Sequence, residues 1–301
     1  MKILVTGSTG FVGSAVVSKL KAKKHDVVRL VRPQSSSTFE EPTVRWDPGV
    51  GTIEKEGLRD LDGVVHLAGE NISTGRWTAA KKSRIRGSRV KGTHILAEAL
   101  AELEKPPKVL VSTSAIGYYG DRGGEILTES SPSGKDFLSE VSRDWEGATE
   151  PVKKKGVRVV LLRLGVVLST RGGALAKMLT PFRFGLGGRI GDGKQYMSWI
   201  TLDDTSGVVM RALEDGSLNG PVNVVTPNPV TNREFTRTLG RVLSRPTPFP
   251  MPGFVARVLF GEMADALLLS SSRVEPEALK KAAHAFQSPE LEAALRGILK
   301  G

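Results

Sequence analysis

The chain has 301 residues, 39% of them hydrophobic and 25% charged, and is long enough to bury a full-sized core. It contains no cysteine, which excludes disulfide frameworks, thiolate metal sites and a cysteine nucleophile. The 43 Lys and Arg residues against 32 Asp and Glu give a net charge of +11, which favours an anionic partner: nucleic acid, a membrane surface or a phosphorylated small molecule. Because no apolar run reaches the roughly 18 residues of a spanning helix and the N-terminus lacks leader features, we expect a cytoplasmic protein without membrane contact.

The first 31 residues predict a strand, a glycine-rich turn, a helix and a second strand. Residues 2–6 are a β-branched run that stops in the glycine-rich segment 7–13. Apolar residues at helical spacing follow in residues 12–20, and residues 27–31 read as the next strand. This order indicates a right-handed βαβ unit.

Further apolar runs predict strands at residues 63–68, 108–112, 157–167 and 222–225, with a helix at 91–104. Near-continuous apolar strands are typical of a sheet that helices cover on both faces, so we predict an α/β fold with a Rossmann-type, doubly wound parallel sheet. The pattern becomes irregular and glycine-rich after about residue 171. We therefore assign residues 1–170, with parts of 195–230, to the sheet domain, and about 171–194 and 231–301 to a small C-terminal substrate lobe.

The glycine-rich turn has the spacing G-x-x-G-x-x-G and lies between the first strand and the first helix. Glycine allows the backbone to approach a pyrophosphate closely and places that anion at the positive helix N-terminus. A helix-entry turn without a ligand is the alternative, but the strand-to-helix context favours dinucleotide binding. The predicted contacts here are Gly7, Thr9, Gly10, Phe11, Val12 and Gly13.

The end of the second strand indicates which dinucleotide would bind. An Asp or Glu there would accept hydrogen bonds from the ribose 2′-hydroxyl of NAD, but the chain reads Val31-Arg32-Pro33-Gln34. A guanidinium suits a 2′-phosphate, so we predict NADP(H), with Val31 and Arg32 as contacts and Arg29 as a weaker candidate. The alternative is a solvated arginine beyond the strand end.

Residues 76–91 carry seven Lys and Arg residues and no acid. Three interpretations compete: a nucleic-acid patch, a solvated helix face, or a helix that directs Arg84 or Arg89 at the cofactor phosphates or an anionic substrate. We favour the third, because the chain shows no nucleic-acid fold and no interleaved aromatic residue beyond Trp77. No nucleic-acid partner is therefore expected.

Motifs over nearly the whole chain resemble the extended short-chain dehydrogenases/reductases, and within them the atypical "epimerase family" group. The resemblance implies a Rossmann-type domain that binds NADP(H), with Arg32, Leu67, Ala68 and Arg89 as cofactor contacts, and we include the neighbouring Gly69. It also implies a lobe that closes a substrate cleft, but no particular substrate. The motifs are residues 6–13, 66–71, 76–77, 88–90, 112–120, 144–146, 163–168, 191–200, 223–229 and 267–276.

Typical extended members use a tyrosine whose pKa is lowered by a lysine four residues later. This chain lacks that pair. Counted back from Glu146, the tyrosine position falls on Phe137 or Leu138, and the lysine position on Val141 or Ser142. None of these side chains can exchange a proton usefully with a carbonyl, so the usual proton path is absent while the cofactor site is retained.

Ser114 remains from the usual catalytic set, and Tyr118 or Tyr119 is the nearest phenol. We take Ser114 and Tyr119 as catalytic candidates, against the alternatives of a strand-end hydroxyl and a packing tyrosine. The four histidines are scattered, so we assign no metal site.

Two functions follow as hypotheses. The first is an NADP(H)-dependent oxidoreductase or epimerase-like enzyme on a small substrate that could be anionic, with Ser114 polarising a carbonyl. The second is a non-catalytic NADP(H)-binding or sensing protein that works through a protein partner. The resemblance to relatives tied to cell or organelle division supports this second hypothesis. The sequence does not determine the oligomeric state.

Overall fold

An eight-stranded sheet forms the centre of the protein in a computed structural model that describes residues 1–34 and 38–300. Short pairs of strands lie outside this sheet and belong mainly to the second half of the chain. In chain order the strands are β1 Lys2–Thr6, β2 Asp26–Val31, β3 Thr43–Asp47, β4 Thr52–Ile53, β5 Gly63–His66, β6 Val109–Ala115, β7 Ile126–Leu127, β8 Arg158–Leu164, β9 Val166–Leu168, β10 Tyr196–Met197, β11 Trp199–Thr201, β12 Gly220–Val224, β13 Val230–Thr231 and β14 Arg273–Val274.

The strand order across the sheet is β12-β8-β6-β5-β1-β2-β3-β4, and every pairing except β3 with β4 is parallel. The order reverses at β1, where the chain crosses from one half of the sheet to the other. In sheets of this kind ligands bind at the carboxyl ends of the strands beside that reversal. The predicted Rossmann-type, doubly wound parallel sheet is confirmed.

Helices cover both faces of the sheet. Inward residues of α1 and α6 pack on one face, and those of α2 and α4 pack on the other. No helix in residues 1–34 and 38–300 is long and apolar enough to cross a membrane. The helices are α1 Phe11–Ala22, α2 Ala79–Ala101, α3 Phe137–Gly147, α4 Glu150–Lys154, α5 Gly173–Arg183, α6 Leu202–Glu214, α7 Asn232–Val242, α8 Gly253–Phe260, α9 Glu262–Ala264, α10 Glu277–Lys281 and α11 Leu291–Lys300.

Several predicted boundaries were wrong. The helix expected at 91–104 begins twelve residues earlier, at Ala79, and ends at Ala101. Its first half lacks an apolar stripe because much of it is basic. The strand expected at 157–167 is two strands interrupted at Gly165, where an added Cβ would lie 2.6 Å from the carbonyl oxygen of Ser198. Strands β3 and β4 were missed because they are short and lie at the sheet edge.

A separate apolar cluster forms in the second half of the chain. It joins α5, β11, α7 and α11 through buried residues that include Leu175, Trp199, Phe235 and Leu295. The division near residue 170 into a sheet domain and a lobe stays a prediction.

A buried histidine links the base of the glycine-rich turn to two helices. Thr6 Oγ1 accepts the backbone N–H groups of the two residues after His66, so its own proton is donated to His66 Nδ1 at 2.8 Å. His66 Nε2 then carries the ring proton and donates to Thr93 Oγ1 at 2.9 Å, which also accepts the Trp145 indole N–H. Burial lowers the pKa of His66 to about 4, so the ring is neutral.

We expect the free energy of unfolding to fall as the pH drops through the range from about 6.5 to 4. In that range His66 is protonated in the unfolded chain, where its pKa is about 6.5, but stays neutral in the folded protein. The full effect, reached below pH 4, is about 3 kcal/mol. Urea unfolding at several pH values measures this dependence. Between about pH 6.5 and 4 the free energy of unfolding should change less steeply with pH in His66→Gln than in the unaltered protein, and equal slopes would contradict this assignment.

Candidate functional site

The turn between β1 and α1 is shaped by its three glycines. Gly7 has φ +61°, a conformation that side chains disfavour, and its carbonyl accepts the N–H of Gly10 at 2.9 Å. A Cβ on Gly13 would lie 2.1 Å from Gly7 O, and one on Gly7 would lie 2.7 Å from Leu67 O. The α1 N-terminus is thus pressed against the carboxyl ends of β1 and β5, with no acid in its first turn. This backbone fits a pyrophosphate.

The other predicted residues of this turn differ in their exposure and packing. Thr9 is exposed, as a residue that contacts a ligand needs to be, whereas Val12 packs against the core on the α1 face. The ring of Phe11 lies against Gly172 and Gly173, where an added Cβ would come within 3.0 and 3.2 Å of it. Phe11 therefore connects the glycine-rich turn to the start of α5.

Two arginines lie near the end of β2: Arg29 is held by hydrogen bonds within the protein, and Arg32 is exposed. Arg29 donates from Nε to Glu41 at 2.9 Å and from Nη1 to the carbonyl of Ser8 at 3.4 Å. The guanidinium of Arg29 lowers the pKa of Glu41 to about 2, aided by a lysine. Arg32 directly follows Val31, the last residue of β2, and is exposed. Arg32 is thus the better placed of the two to meet a 2′-phosphate.

Arg89 projects from α2 towards the loop after β5. Its Nη1 donates to the carbonyl oxygens of Glu70 at 3.0 Å and Ile85 at 3.2 Å, and its guanidinium lies 5.1 Å from the Trp145 ring centroid. An added Cβ on Gly69 would lie 3.5 Å from Arg89 Cζ. Burial lowers the pKa of Arg89 to about 10, so it stays charged at neutral pH. The structure thus brings predicted residues Leu67, Ala68, Gly69 and Arg89 to one edge of the sheet.

Much of the basic segment 76–91 is neutralised by acids from elsewhere in the chain. Lys81 is buried and pairs with Glu70 at 2.7 Å, which lowers the pKa of Glu70. Arg84 is largely exposed, with Nε 3.8 Å from the same carboxylate. Two further ion pairs of this segment are Lys82 with Glu262 and Arg86 with Asp144.

A row of polar side chains crosses three neighbouring strands. The parallel register sets Ser114 of β6 opposite Arg163 of β8, and Arg163 opposite Asn223 of β12. Glu146 of α3 lies over this row: Ser114 Oγ donates to its Oε1 at 2.7 Å, and Arg163 donates from Nε and Nη2 to its two oxygens at 2.8 and 2.9 Å. Burial disfavours the charged guanidinium, but Glu146 outweighs burial and raises the pKa of Arg163.

Tyr119 lies in the interior, beneath this row. Its Oη accepts from Arg163 Nη1 at 3.0 Å and donates to Asn223 Oδ1 at 2.7 Å. The side chain is fully buried, and burial raises its pKa to about 12. These contacts weigh against the proton-transfer role predicted for Tyr119. Tyr118 is partly exposed, with its ring 3.5 Å from the Arg163 guanidinium carbon.

The positions where the usual tyrosine and lysine would lie are apolar or enclosed. Phe137 and Leu138 pack in a cluster with Trp77, and the rings of Phe137 and Trp77 meet edge to face at 5.6 Å. Val141 and Ser142 are buried. These four positions therefore provide no tyrosine and lysine pair, whereas Ser114 and Glu146 are joined by a hydrogen bond of 2.7 Å.

The sheet topology and the glycine-rich turn define a dinucleotide-binding α/β protein. The chain belongs to the NAD dependent epimerase/dehydratase family, whose family model matches residues 3–225. Residues 251–298 match a second family, a domain of unknown function called DUF1731. The resemblance drawn from the motifs is thereby confirmed.

The relatives cover nearly the full chain. An epimerase family protein of Mycobacterium tuberculosis is 41% identical over 97% of this chain and 96% of its own length. The crystal structure of human epimerase family protein SDR39U1 with NADPH has a TM-score of 0.91 and 35% identity, with 100% of both chains covered. A nucleoside-diphosphate sugar epimerase from Corynebacterium glutamicum has a TM-score of 0.80 and 37% identity over 99% of this chain and 58% of that one.

Glu146, Arg163 and Asn223 have no role predicted from the sequence, although all three lie in the motifs that carry the resemblance. The sequence did contain a signal for two of them, since Arg163 and Asn223 stand in otherwise apolar predicted strands. Buried polar side chains need hydrogen-bond partners, so both residues could have been expected in a polar cluster. Only the strand register shows that they meet each other and Ser114.

We expect Glu146→Ala to destabilise the fold by about 3–5 kcal/mol, because it leaves the buried Arg163 charge without its partner. Chemical denaturation measures this. The control is Glu277→Ala, which removes an exposed pair with Lys281 and should change stability little. Equal losses in the two variants would contradict the role of the Arg163–Glu146 pair.

Proposed function

We propose that this protein is an NADP(H)-dependent oxidoreductase or epimerase-like enzyme that acts on an alcohol or carbonyl group of a small substrate. The observation that carries the proposal is the 2.7 Å hydrogen bond from Ser114 Oγ to Glu146, at the carboxyl end of β6. The glycine-rich turn follows β1 at the same end of the parallel sheet.

The residues present fit NADP(H). The three glycines and the α1 N-terminus would hold the pyrophosphate, and Arg32 would read the 2′-phosphate. Arg89, beside Gly69, would border the cofactor at the end of β5. The human relative crystallised with NADPH supports this choice. When bound, the nicotinamide supplies or accepts a hydride with its electron pair.

Ser114 and Glu146 would handle the proton. In the oxidising direction, the substrate hydroxyl gives its proton to Ser114 Oγ while the Ser114 proton passes to Glu146 Oε1. In the reducing direction the same two transfers run backwards, and Ser114 Oγ donates to the new alkoxide. The Glu146 side chain is 11% exposed. Arg163 cannot serve as the acid, because its pKa is raised further, and it acts as a positioning residue.

Part of the same geometry favours a second candidate, a non-catalytic NADP(H)-binding protein that signals to a protein partner. The Ser114 hydroxyl is already donated to Glu146, and aromatic packing fills the usual tyrosine position. In this case the polar row stabilises the fold and NADP(H) acts as a regulatory ligand.

Arg32→Ala should raise the Kd for NADPH about 10- to 100-fold and leave that for NADH nearly unchanged, because only NADPH carries the 2′-phosphate. Fluorescence titration of the bound nicotinamide measures both constants. The matched control is Arg59→Ala, since residue 59 is exposed near the opposite edge of the sheet, where its carbonyl binds Lys2. An equal loss for both cofactors would refute the assignment of Arg32.

A panel of carbonyl compounds and nucleotide sugars should contain a substrate whose turnover drops about 100-fold or more in Ser114→Ala and in Glu146→Gln. NADPH affinity should be kept in both variants. The control is Ser18→Ala on the exposed side of α1, with turnover expected to match the unaltered protein.

Tight NADPH binding without turnover on the whole panel would contradict the enzyme proposal. The second candidate then predicts a protein partner whose retention on the immobilised chain changes at least several-fold with NADPH. Retention that ignores NADPH would contradict sensing.

A further inference from the structure

A second cationic pocket lies in the C-terminal half of the chain, apart from the glycine-rich turn and the Ser114 row. Its volume is about 300 Å³, and it opens between Arg189, the first two turns of α7 and the proline-rich segment at residues 247–250. No residue of the turn between β1 and α1 or of the Ser114 row lines it. Its lining includes Arg189, Arg233, Thr236, Arg237 and Thr247, together with two prolines.

The charge of this pocket is unbalanced. Three guanidinium groups line it, and among the described residues no carboxylate does. Arg233 and Arg237 are one turn apart on α7 and share a helix face. Arg189 lies beside Arg233, because a Cβ on Gly193 would approach the Cβ atoms of both, at 3.3 and 3.1 Å. Like charges that line one pocket repel, and a bound anion would reduce that repulsion.

Two residues that line the pocket each carry a buried polar atom without a hydrogen-bond partner in the described part of the chain. Thr236 is 2% exposed, and its Oγ1 makes no hydrogen bond within the described part of the chain. Arg233 uses Nη2 on the carbonyl of Asp192 at 2.9 Å, while its buried Nε has no acceptor in residues 1–34 and 38–300. Buried polar groups are normally satisfied, and a ligand with several acceptor oxygens would supply partners for both atoms.

Backbone hydrogen bonds hold the walls in place. Met251 N–H donates to Arg189 O at 2.8 Å, and Gly191 N–H donates back to Met251 O at 2.9 Å. Arg233 N–H donates to Gly193 O at 2.9 Å, and Asn232 Oδ1 accepts from Ile190. The arginines are thus carried by a turn and a helix that are tied together, which prepares the site for a small anion.

We propose that this pocket binds a phosphate group, either as inorganic phosphate or as the phosphate of a small molecule. Tetrahedral oxyanions accept paired N–H groups from arginine, and the hydroxyls of Thr236 and Thr247 can donate to the remaining oxygens. A larger cavity of about 710 Å³ shares Arg233 and Arg237 and has room for an organic part. That cavity also contains glutamates, so the phosphate itself belongs in the smaller pocket.

The test is calorimetric titration of the full chain with inorganic phosphate, with and without saturating NADPH so that binding at the glycine-rich turn is separated. We expect saturable binding that NADPH does not abolish. Arg189→Ala and Arg237→Ala should each weaken it about 10-fold or more, and Thr236→Val a few-fold. The control is Arg241→Ala, one turn further along α7, where the guanidinium pairs with Glu292 and should leave binding unchanged.

No saturable binding at millimolar phosphate in the folded protein would overturn the proposal. So would an equal loss in Arg241→Ala, since this would show a general charge effect. Parallel titration with a sugar phosphate identifies the source of the group. Tighter binding than inorganic phosphate by 10-fold or more assigns a phosphorylated small molecule, and equal affinity assigns free phosphate. Circular dichroism melting verifies that each variant is folded.

Discussion

The arrangement of side chains around Ser114, at the carboxyl ends of β6 and β8, depends on the buried guanidinium of Arg163. A charge inside a sheet is tolerated only when its hydrogen bonds are made, and Arg163 makes them to Glu146, Tyr119 and the carbonyl of Glu129. These contacts bind β8 to α3 and to the segment after β6. Ser114 shares the Glu146 carboxylate, so the geometry of the candidate site follows from the requirement to neutralise one buried arginine.

The same requirement determines the chemistry open to this chain. A tyrosine and lysine pair couples a phenol to a charge at the reacting carbonyl, but here the phenol of Tyr119 is enclosed and its pKa is raised. The acidic partner of the row, Glu146, is in contact with a serine at the carboxyl end of β6. In the proposed mechanism, proton exchange through Ser114 would use a charge that the fold already needs for stability, and activity would then depend on the integrity of the ion pair.

The net charge of +11 has several local origins. In segment 76–91, Lys81, Lys82 and Arg86 are paired with acids from other parts of the chain. Arg32 and Arg89 lie at the dinucleotide edge of the sheet, and the pocket on α7 collects three more arginines. The positive charge is thus gathered at separate positions, which suits small phosphorylated ligands better than one extended polyanion.

The sequence by itself determined the βαβ unit, the glycine-rich turn, the alternation of apolar strands and helices that predicts a parallel sheet, and the position of Arg32 at the end of β2, because each is read from residues close together in the chain. Tertiary structure decided the rest. The row of Ser114, Arg163 and Asn223 exists only in the register of β6, β8 and β12. Likewise, the arginine pocket arises where Arg189 meets α7 and the prolines. Contacts across such separations leave no periodic pattern, since they depend on which strands and turns become neighbours after folding.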